Sequence, residues 1–505
     1  MFVRKKRNAS GLISVQIIDK SSGKYKVYRT VGSSSDPGEV DRLVLRGKEM
    51  IDRMGGQQVL PLVPGEDEQF LQTLSGSLRQ VRLLGPELIL GKLFDQIGFN
   101  QLDEDLFRHL VLSRLVFPLS KLKTVDYLAR YGGVKYEIDQ IYRFLDKFHA
   151  SYDELVQQIS LAHTLEVLEA DLAVVFYDVT TLYFEAERED DFRISGFSKE
   201  GKHKHPQILI GLLVSVYGYP LAYELFEGNK FEGHTMIPVL ETFRSRFQSQ
   251  KLVVVADSGL LSKGNLKMLQ ESGYEFILGA RIKKESASVK EQILKLKLEN
   301  GQSVAIQRPD KLNLIISYSA KRAAKDEYNR NRGLHRLEKA MGKGALTKKH
   351  LNNRGYNKFL VMEGEVNIAI DREKVQQDKQ WDGLKGYLTN SDMSKDEVIA
   401  NYAQLWQIEK AFRISKTDLK IRPVYHRLRR RIEAHICIAF CAYKVYKELQ
   451  RQLQTNDSYL SPEKAIEAMR TIYGLELTLP RSGKEHTMLF ADLPEHKHLF
   501  EIFKI

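Results

Sequence analysis

The sequence predicts a mixed α/β architecture: a sheet covered by helices, preceded by a mostly helical N-terminal region and interrupted by a mainly β insertion. Three observations carry this prediction. Residues 171–185, DLAVVFYDVTTLYFE, are β-branched and aromatic and almost continuously apolar in their first half, as a strand buried on both faces must be. Between Gln207 and Gly279, strand-like and helix-like segments alternate. From Lys395 the pattern becomes helical and stays so to about Leu453.

Taken in order, the alternating stretches Leu12–Asp19 and Lys24–Val31, joined by Ser21-Ser22-Gly23, predict a β-hairpin. A helix from Val40 to Met54 follows, with Glu39 and Asp41 where a helix N-terminus favours negative charge. Residues 1–55 therefore form a first unit. Residues 56–169 form a helical region, with Leu90, Leu93, Phe94 and Ile97 and then Leu106 and Leu110 at three- and four-residue steps. Pro118 to Ser120 break it, and Lys121–Tyr131 and Glu137–Phe148 are expected as short helices. This region reads either as a DNA-binding helix-turn-helix unit or as a packing and dimerisation domain.

Residues 170–280 hold the first part of the sheet. After the opening strand and a polar loop come a hairpin (Gln207–Val216 and Leu221–Phe226), a helix (His234–Arg246) and a strand (Lys251–Ala256). A helix (Ser262–Ser272) and a strand (Glu275–Gly279) complete it. Residues 281–394 form the β-rich insertion, with pieces at Ser303–Gln307, Leu312–Tyr318, Phe359–Met362 and Val366–Ile370 around a basic centre, Lys321 to Lys349. Residues 395–453 complete the core with helices, and 454–505 cap them.

Composition narrows the function class. With 77 Lys+Arg against 65 Asp+Glu the net charge is +12, which favours polyanionic partners. Hydrophobic content of 43% and charged content of 28% exclude a largely disordered chain. The longest apolar run, Ile208 to Tyr219, is broken by Gly211, Ser215 and Gly218, and a membrane-spanning helix needs about 20 residues. No apolar stretch follows the basic start, so no secretory signal is expected. Two cysteines fit a reducing cytoplasm and not a disulfide scaffold.

The chemistry-bearing residues are carboxylates. Asp178 interrupts an apolar strand, where an ionised group needs a partner or a metal. Asp257 closes a second apolar strand, at the strand end where α/β sheets bind ligands; a lone strand-end Asp is more often a turn or cap residue, and two on neighbouring strands carry more weight. Tyr402, Glu409 and Lys416 lie seven residues apart, nearly two helical turns, and are expected along one stripe of one helix over 401–420. On such a stripe the carboxylate would hold a cation while the lysine and tyrosine contact phosphate oxygens. The alternative is an ordinary amphipathic helix, whose apolar face Leu405, Trp406, Ile408 and Phe412 supply. Three carboxylates without a dominant histidine or cysteine favour Mg²⁺ or Mn²⁺ over zinc. A pair of such ions about 4 Å apart activates the attacking oxygen and stabilises the leaving one.

At these residues the chain resembles a known family. YDVTTLYFE, ADSGLLS and NYAQLWQIEKAFRISKTDL resemble the three acidic blocks of DDE transposases of bacterial insertion sequences. The last block resembles the Tyr-x2-Arg-x3-Glu-x6-Lys signature of one group of them, with Leu405 in the arginine position; Arg413, one turn beyond Glu409, is the candidate replacement. The resemblance implies an RNase H-like catalytic core and identifies Asp178, Asp257 and Glu409 as the catalytic metal ligands, holding two Mg²⁺ or Mn²⁺ ions. It further implies cleavage of double-stranded DNA at inverted-repeat ends, joining of the 3′-hydroxyls to target DNA, and a homodimer in a paired-end complex. Alternatives are a nuclease or resolvase of the same fold without strand transfer, and a domesticated, non-catalytic DNA-binding protein.

Tyr402 and Lys416 rank first as DNA contacts, then Arg413, Arg422, Tyr425 and His426, the last three in a basic-aromatic cluster that continues through Arg427 and Arg429–Arg431. His203 and His205 lack companion ligands at metal spacing and read as a basic loop. Cys437 and Cys441 lie in an apolar helix and read as core.

Overall fold

The structure is a computed structural model that describes all residues except 10, 55–65, 169–171, 187, 198–200, 202–203, 247–251, 364–366 and 481. His203 and the expected strand start at Val366 lie outside the described residues. The chain divides into two units: Met1–Arg79 with Glu476–His486, and Gln80–Leu475 with Thr487–Ile505.

The first unit contains an antiparallel sheet of β1 (Phe2–Arg7), β2 (Ile13–Asp19) and β3 (Lys26–Ser34), on which α1 (Pro37–Met54) packs. Val15, Ile17, Ile18 and Val40 are buried there. The hairpin was legible in the sequence; β1 was not. FVRKKR lacks the apolar alternation of a buried strand because it is an edge strand with mostly exposed side chains, held by its backbone register from Phe2↔Ile18 to Arg7↔Ile13.

The second unit is built on an eight-stranded mixed sheet. In chain order its strands are β4 (Val174–Tyr183), β5 (Gln207–Ser215), β6 (Pro220–Glu227), β7 (Val253–Ala256), β8 (Glu275–Ala280), β9 (Ser303–Gln307), β10 (Asn313–Tyr318) and β11 (Leu384–Thr389). Their spatial order is β9-β10-β11-β8-β7-β4-β5-β6. The central β4–β7 and β7–β8 pairs are parallel and the others antiparallel. The period of two sorts the strand residues onto two faces. One face carries Val175, Tyr177, Val254, Ala256, Phe276 and Leu278, packed with Val239, Leu240 and Phe243 of α4 (Met236–Arg246). The opposite face carries Phe176, Leu182, Val253, Val255, Ile277 and Tyr387.

That second face is covered by helices from both ends of the unit: α2 (Asp105–Val116), α3 (Ile138–Val167), and, after α5 (Ala320–Gly342), α6 (Lys395–Ala403), α7 (Trp406–Thr417) and α8 (Arg429–Thr455). α8 packs against α2 and α3, so the N-terminal helices share one apolar cluster with the sheet. Glu137–Phe148, expected as a short helix, is the start of the 30-residue α3. Its Glu137–Gln140 capping box fixes the start.

Residues 281–394 differ from the expected, mainly β insertion. Their longest element is a helix of 23 residues, α5, which occupies most of the basic centre. Three of their strands do not form a separate sheet but extend the common one. Arg330, Leu334 and Leu337 form the buried stripe of α5, while Lys321, Arg322, Lys325, Arg332, Arg336 and Lys339 are left on its wet side. The high charge of the segment hid this helical stripe. No helix among the described residues is long and apolar enough to cross a membrane.

Candidate active site

Asp178 follows Tyr177 on β4, and Asp257 follows Ala256 at the end of β7. Tyr177 pairs with Ala256 in the parallel register, so the next step along both strands places the two aspartates side by side. Strand alternation decides which way they face. Asp178 has the parity of Phe176, and Asp257 that of Val253 and Val255, so both lie on the face covered by α6–α8. Asp178 is half-buried and engaged by a neighbour, whereas Asp257 is exposed at the strand end.

The third block arrives on two helices, not on the single one expected. The Ser394–Glu397 capping box starts α6, and the chain then tightens after Ala403: Leu405 N donates to Tyr402 O at 3.1 Å and Ile408 N to Leu405 O at 3.2 Å. Such three-residue bonds overwind the chain relative to an α-helix and break the expected stripe. Tyr402 is only 6% exposed, whereas Glu409 on α7 is exposed. α6 packs on β7, β8 and β11, and α7 on β4 and β5.

Tyr402 therefore points at the sheet and not at solvent. Its hydroxyl donates to Asp257 Oδ1 at 3.3 Å, and its ring meets Tyr387 edge-on at 5.0 Å between centroids. Burial, reinforced by the Asp257 charge, pushes the phenol pKa far above its usual range, so the hydroxyl keeps its proton and remains a donor. Glu409 is also close enough to contribute to that rise. Gly279, with the parity of Ile277, makes the approach possible, because a Cβ there would collide with the Tyr402 hydroxyl.

Lys416 is half-buried on α7, and its ammonium donates to the Thr180 hydroxyl, two residues beyond Asp178 on the same face. Leu405, in the signature's arginine position, is 8% exposed and part of the core. Arg413 is exposed on α7. Arg422 lies over the Tyr183 ring at 5.7 Å, and Tyr425 is 70% exposed. His426 borders a cavity with Tyr425, Arg427 and Arg188. Burial, with Lys121, Arg114 and Arg431 nearby, lowers its pKa to about 3, so the ring is neutral at pH 7 and offers phosphate no charge. Of the arginines after it, Arg430 and Arg431 both bind Asp146 (2.8 and 2.7 Å), and Arg429 binds Glu433 at 2.9 Å.

The arrangement thus brings Asp178, Asp257 and Tyr402 together, with Lys416 beside them. Among the described residues no three His, Cys, Asp or Glu side chains stand together closely enough to hold one metal ion. The oxygen-only donors fit a hard divalent cation, and Asp178 and Asp257 are the two carboxylates that the strand register sets side by side. Lys385 went unnoticed in the sequence: its ammonium lies 4.4 Å from the Tyr402 ring centroid. The only local signal was its alternation with Tyr387 on β11.

A cryo-EM structure of a piggyBac transposase synaptic complex with hairpin DNA is similar at a TM-score of 0.37 and 11% identity, over 72% of this chain and 69% of that one. That likeness is too distant to carry an argument. No curated protein matches. Residues 169–444, more than half of the 505-residue chain, match the family described as the transposase DDE domain. They span both strand aspartates and the helices of Tyr402, Glu409 and Lys416, and the chain belongs to that family of transposases.

Proposed function

We propose that this transposase cuts double-stranded DNA at the inverted-repeat ends of an insertion sequence and joins the freed 3′-hydroxyls to target DNA. The observation that carries the reading is the side-by-side register of Asp178 and Asp257 on parallel strands, under the helices that bear Tyr402 and Glu409, in a chain of this family. The central strands and their covering helices form an RNase H-like core, which 281–394 interrupts. Asp178 and Asp257, with Glu409 as the third carboxylate, would hold two Mg²⁺ or Mn²⁺ ions. When bound, these ions polarise the scissile phosphate and lower the pKa of the attacking oxygen.

The chain's own residues have separate tasks. Tyr402 orients the Asp257 carboxylate through its hydrogen bond, and Lys416 holds Thr180 on the Asp178 strand until a phosphate oxygen competes for its ammonium. Arg413, Arg422 and Tyr425 are the exposed or half-exposed contacts for end DNA, and His426, with its ring against Tyr142 and His435, borders the same cavity as Tyr425. The YREK-type signature is present with its arginine replaced by a core leucine. The active species is a homodimer on paired ends.

The experiment is cleavage and strand transfer of a duplex carrying the inverted repeats that flank the gene, with Mg²⁺. Asp178→Asn, Asp257→Asn and Glu409→Gln should each abolish cleavage and leave end binding within about threefold of wild type, because each replacement is isosteric. Normal cutting by any of the three variants removes that residue from the site. Cleavage without a joined product makes the protein a nuclease, and binding without cleavage removes the enzymatic reading.

A further inference from the structure

Beside Asp257 opens a cleft of about 530 Å³ that the three acidic blocks do not account for. Ser258, the residue after Asp257, lies in its wall, together with Arg281, Lys283, Lys284, Arg322 and Lys385. Its carboxylates are engaged by some of its cations. Asp378 binds Lys283 at 2.7 Å and Lys358 at 2.8 Å, and Asp382 takes both guanidinium arms of Arg330 at 2.6 Å. Asp326 accepts from the Gly383 amide at 3.2 Å and stays 3.8 Å from Arg322.

Among the described residues Arg281, Lys284 and Lys385 have no carboxylate partner, and Arg322 has only the long 3.8 Å pair with Asp326. Arg281 donates to the Gly259 carbonyl at 3.2 Å, a neutral acceptor two residues beyond Asp257. Lys385 is held by aromatic faces, 4.4 Å from the Tyr402 ring centroid and 5.2 Å from that of Tyr387. Burial and the nearby Arg322 charge lower its pKa, while Asp257 opposes them; an anion in the cleft would likewise favour its charged form. The Tyr402 ring thus stacks under a cation while its hydroxyl binds Asp257, which links the cleft to the aspartate pair through one side chain.

We propose that this cleft seats the sugar-phosphate backbone of one DNA strand beside the reacting phosphate, with Lys385, Arg322, Arg281 and Lys284 as its phosphate contacts. Seven Lys and Arg side chains line the cleft against three carboxylates, an excess that suits successive phosphates of a polyanion better than a single free phosphate. The proposal rests on the transposase reading for the identity of the strand, but its test does not need catalysis.

The test is binding of a short linear DNA duplex of arbitrary sequence as salt is varied, with acetic anhydride footprinting of lysines in the same complex. Lys385→Gln, Arg322→Gln and the doubly exposed pair Arg281→Gln/Lys284→Gln should each weaken binding about 5- to 10-fold per charge at 0.1 M salt and lower the salt slope by about one per charge. DNA should protect Lys284 and Lys385 from acetylation, and inorganic phosphate should not. Lys464→Gln/Lys497→Gln, on residues that do not line the cleft, should leave both readouts unchanged. If Lys385→Gln lowers the Tm, the exposed pair carries the test.

An unchanged slope in the cleft variants, an equal loss in the Lys464/Lys497 control, or equal protection by inorganic phosphate overturns the proposal. Protein that passes this test yet never cuts DNA refutes the transposase reading and leaves the cleft standing. Protein that cuts DNA through its acids but fails this test refutes the cleft alone.

Discussion

At the scale of single residues, the decisive contact is Tyr402 on Asp257. The sequence places a tyrosine near an acid on a helix, which is equally compatible with a phosphate contact; the structure turns its hydroxyl inward. Two neighbours make that turn possible: Gly279, which leaves room for the hydroxyl, and Tyr387, which supports the ring edge-on. Tyr402→Phe keeps the ring and removes one hydrogen bond from Asp257. It should lower the cleavage rate constant about five- to tenfold, the kinetic equivalent of roughly 1–1.4 kcal/mol, with duplex Kd within about twofold of wild type. A single-turnover cleavage time course beside a binding isotherm measures both. A loss confined to Kd would restore the direct phosphate contact.

Among elements, the break between α6 and α7 matters most. A continuous helix would have aligned Tyr402, Glu409 and Lys416; with the tightened turn at Gln404 and Leu405, Tyr402 is buried while Glu409 stays exposed. Leu405 lies in that turn, packed in the apolar cluster under the sheet. Restoring the signature arginine there should therefore not restore a DNA contact. Leu405→Arg is expected to destabilise the fold by about 2–4 kcal/mol, through a buried charge, without tightening DNA binding. Urea melts and binding isotherms decide it, and tighter binding at unchanged stability would contradict the burial argument.

For the whole molecule, α3 and α8 tie the N-terminal helices to the sheet through interior polar groups. Lys444 on α8 donates to Ser160 O at 2.9 Å, and Glu448 accepts from the Tyr219 hydroxyl at 2.7 Å, both fully inside. Three histidines near these helices are held neutral by burial: His163 with its pKa lowered to about 4, His426 to about 3, and His435 well below its usual value. Their folded pKa values lie below the unfolded value, so the unfolded chain binds more protons in between. Stability is therefore complete above about pH 6.5 and falls as the pH drops toward 4. Urea unfolding at pH 7 and pH 5 should show this loss, and His426→Gln should reduce its slope. A pH-independent midpoint would mean that these rings charge freely in the folded protein.

The sequence by itself determined the elements whose periodicity is strong and the acids that interrupt them. Asp178 and Asp257 announce themselves because a carboxylate in or beside a buried strand is costly unless it has work to do. The central strands and the helices after Lys395 are equally legible, because burial imposes a period of 2 or 3.6. Only the tertiary structure decided that the two aspartates lie side by side, since strand neighbourhood and register depend on crossovers that no local pattern encodes. It also decided that β9, β10 and β11 extend the common sheet, that Tyr402 faces inward, and that Lys385 of β11 caps its ring. Those outcomes follow from which faces are left to be buried once the whole chain has packed, and that is a property of the assembled layers, not of any segment.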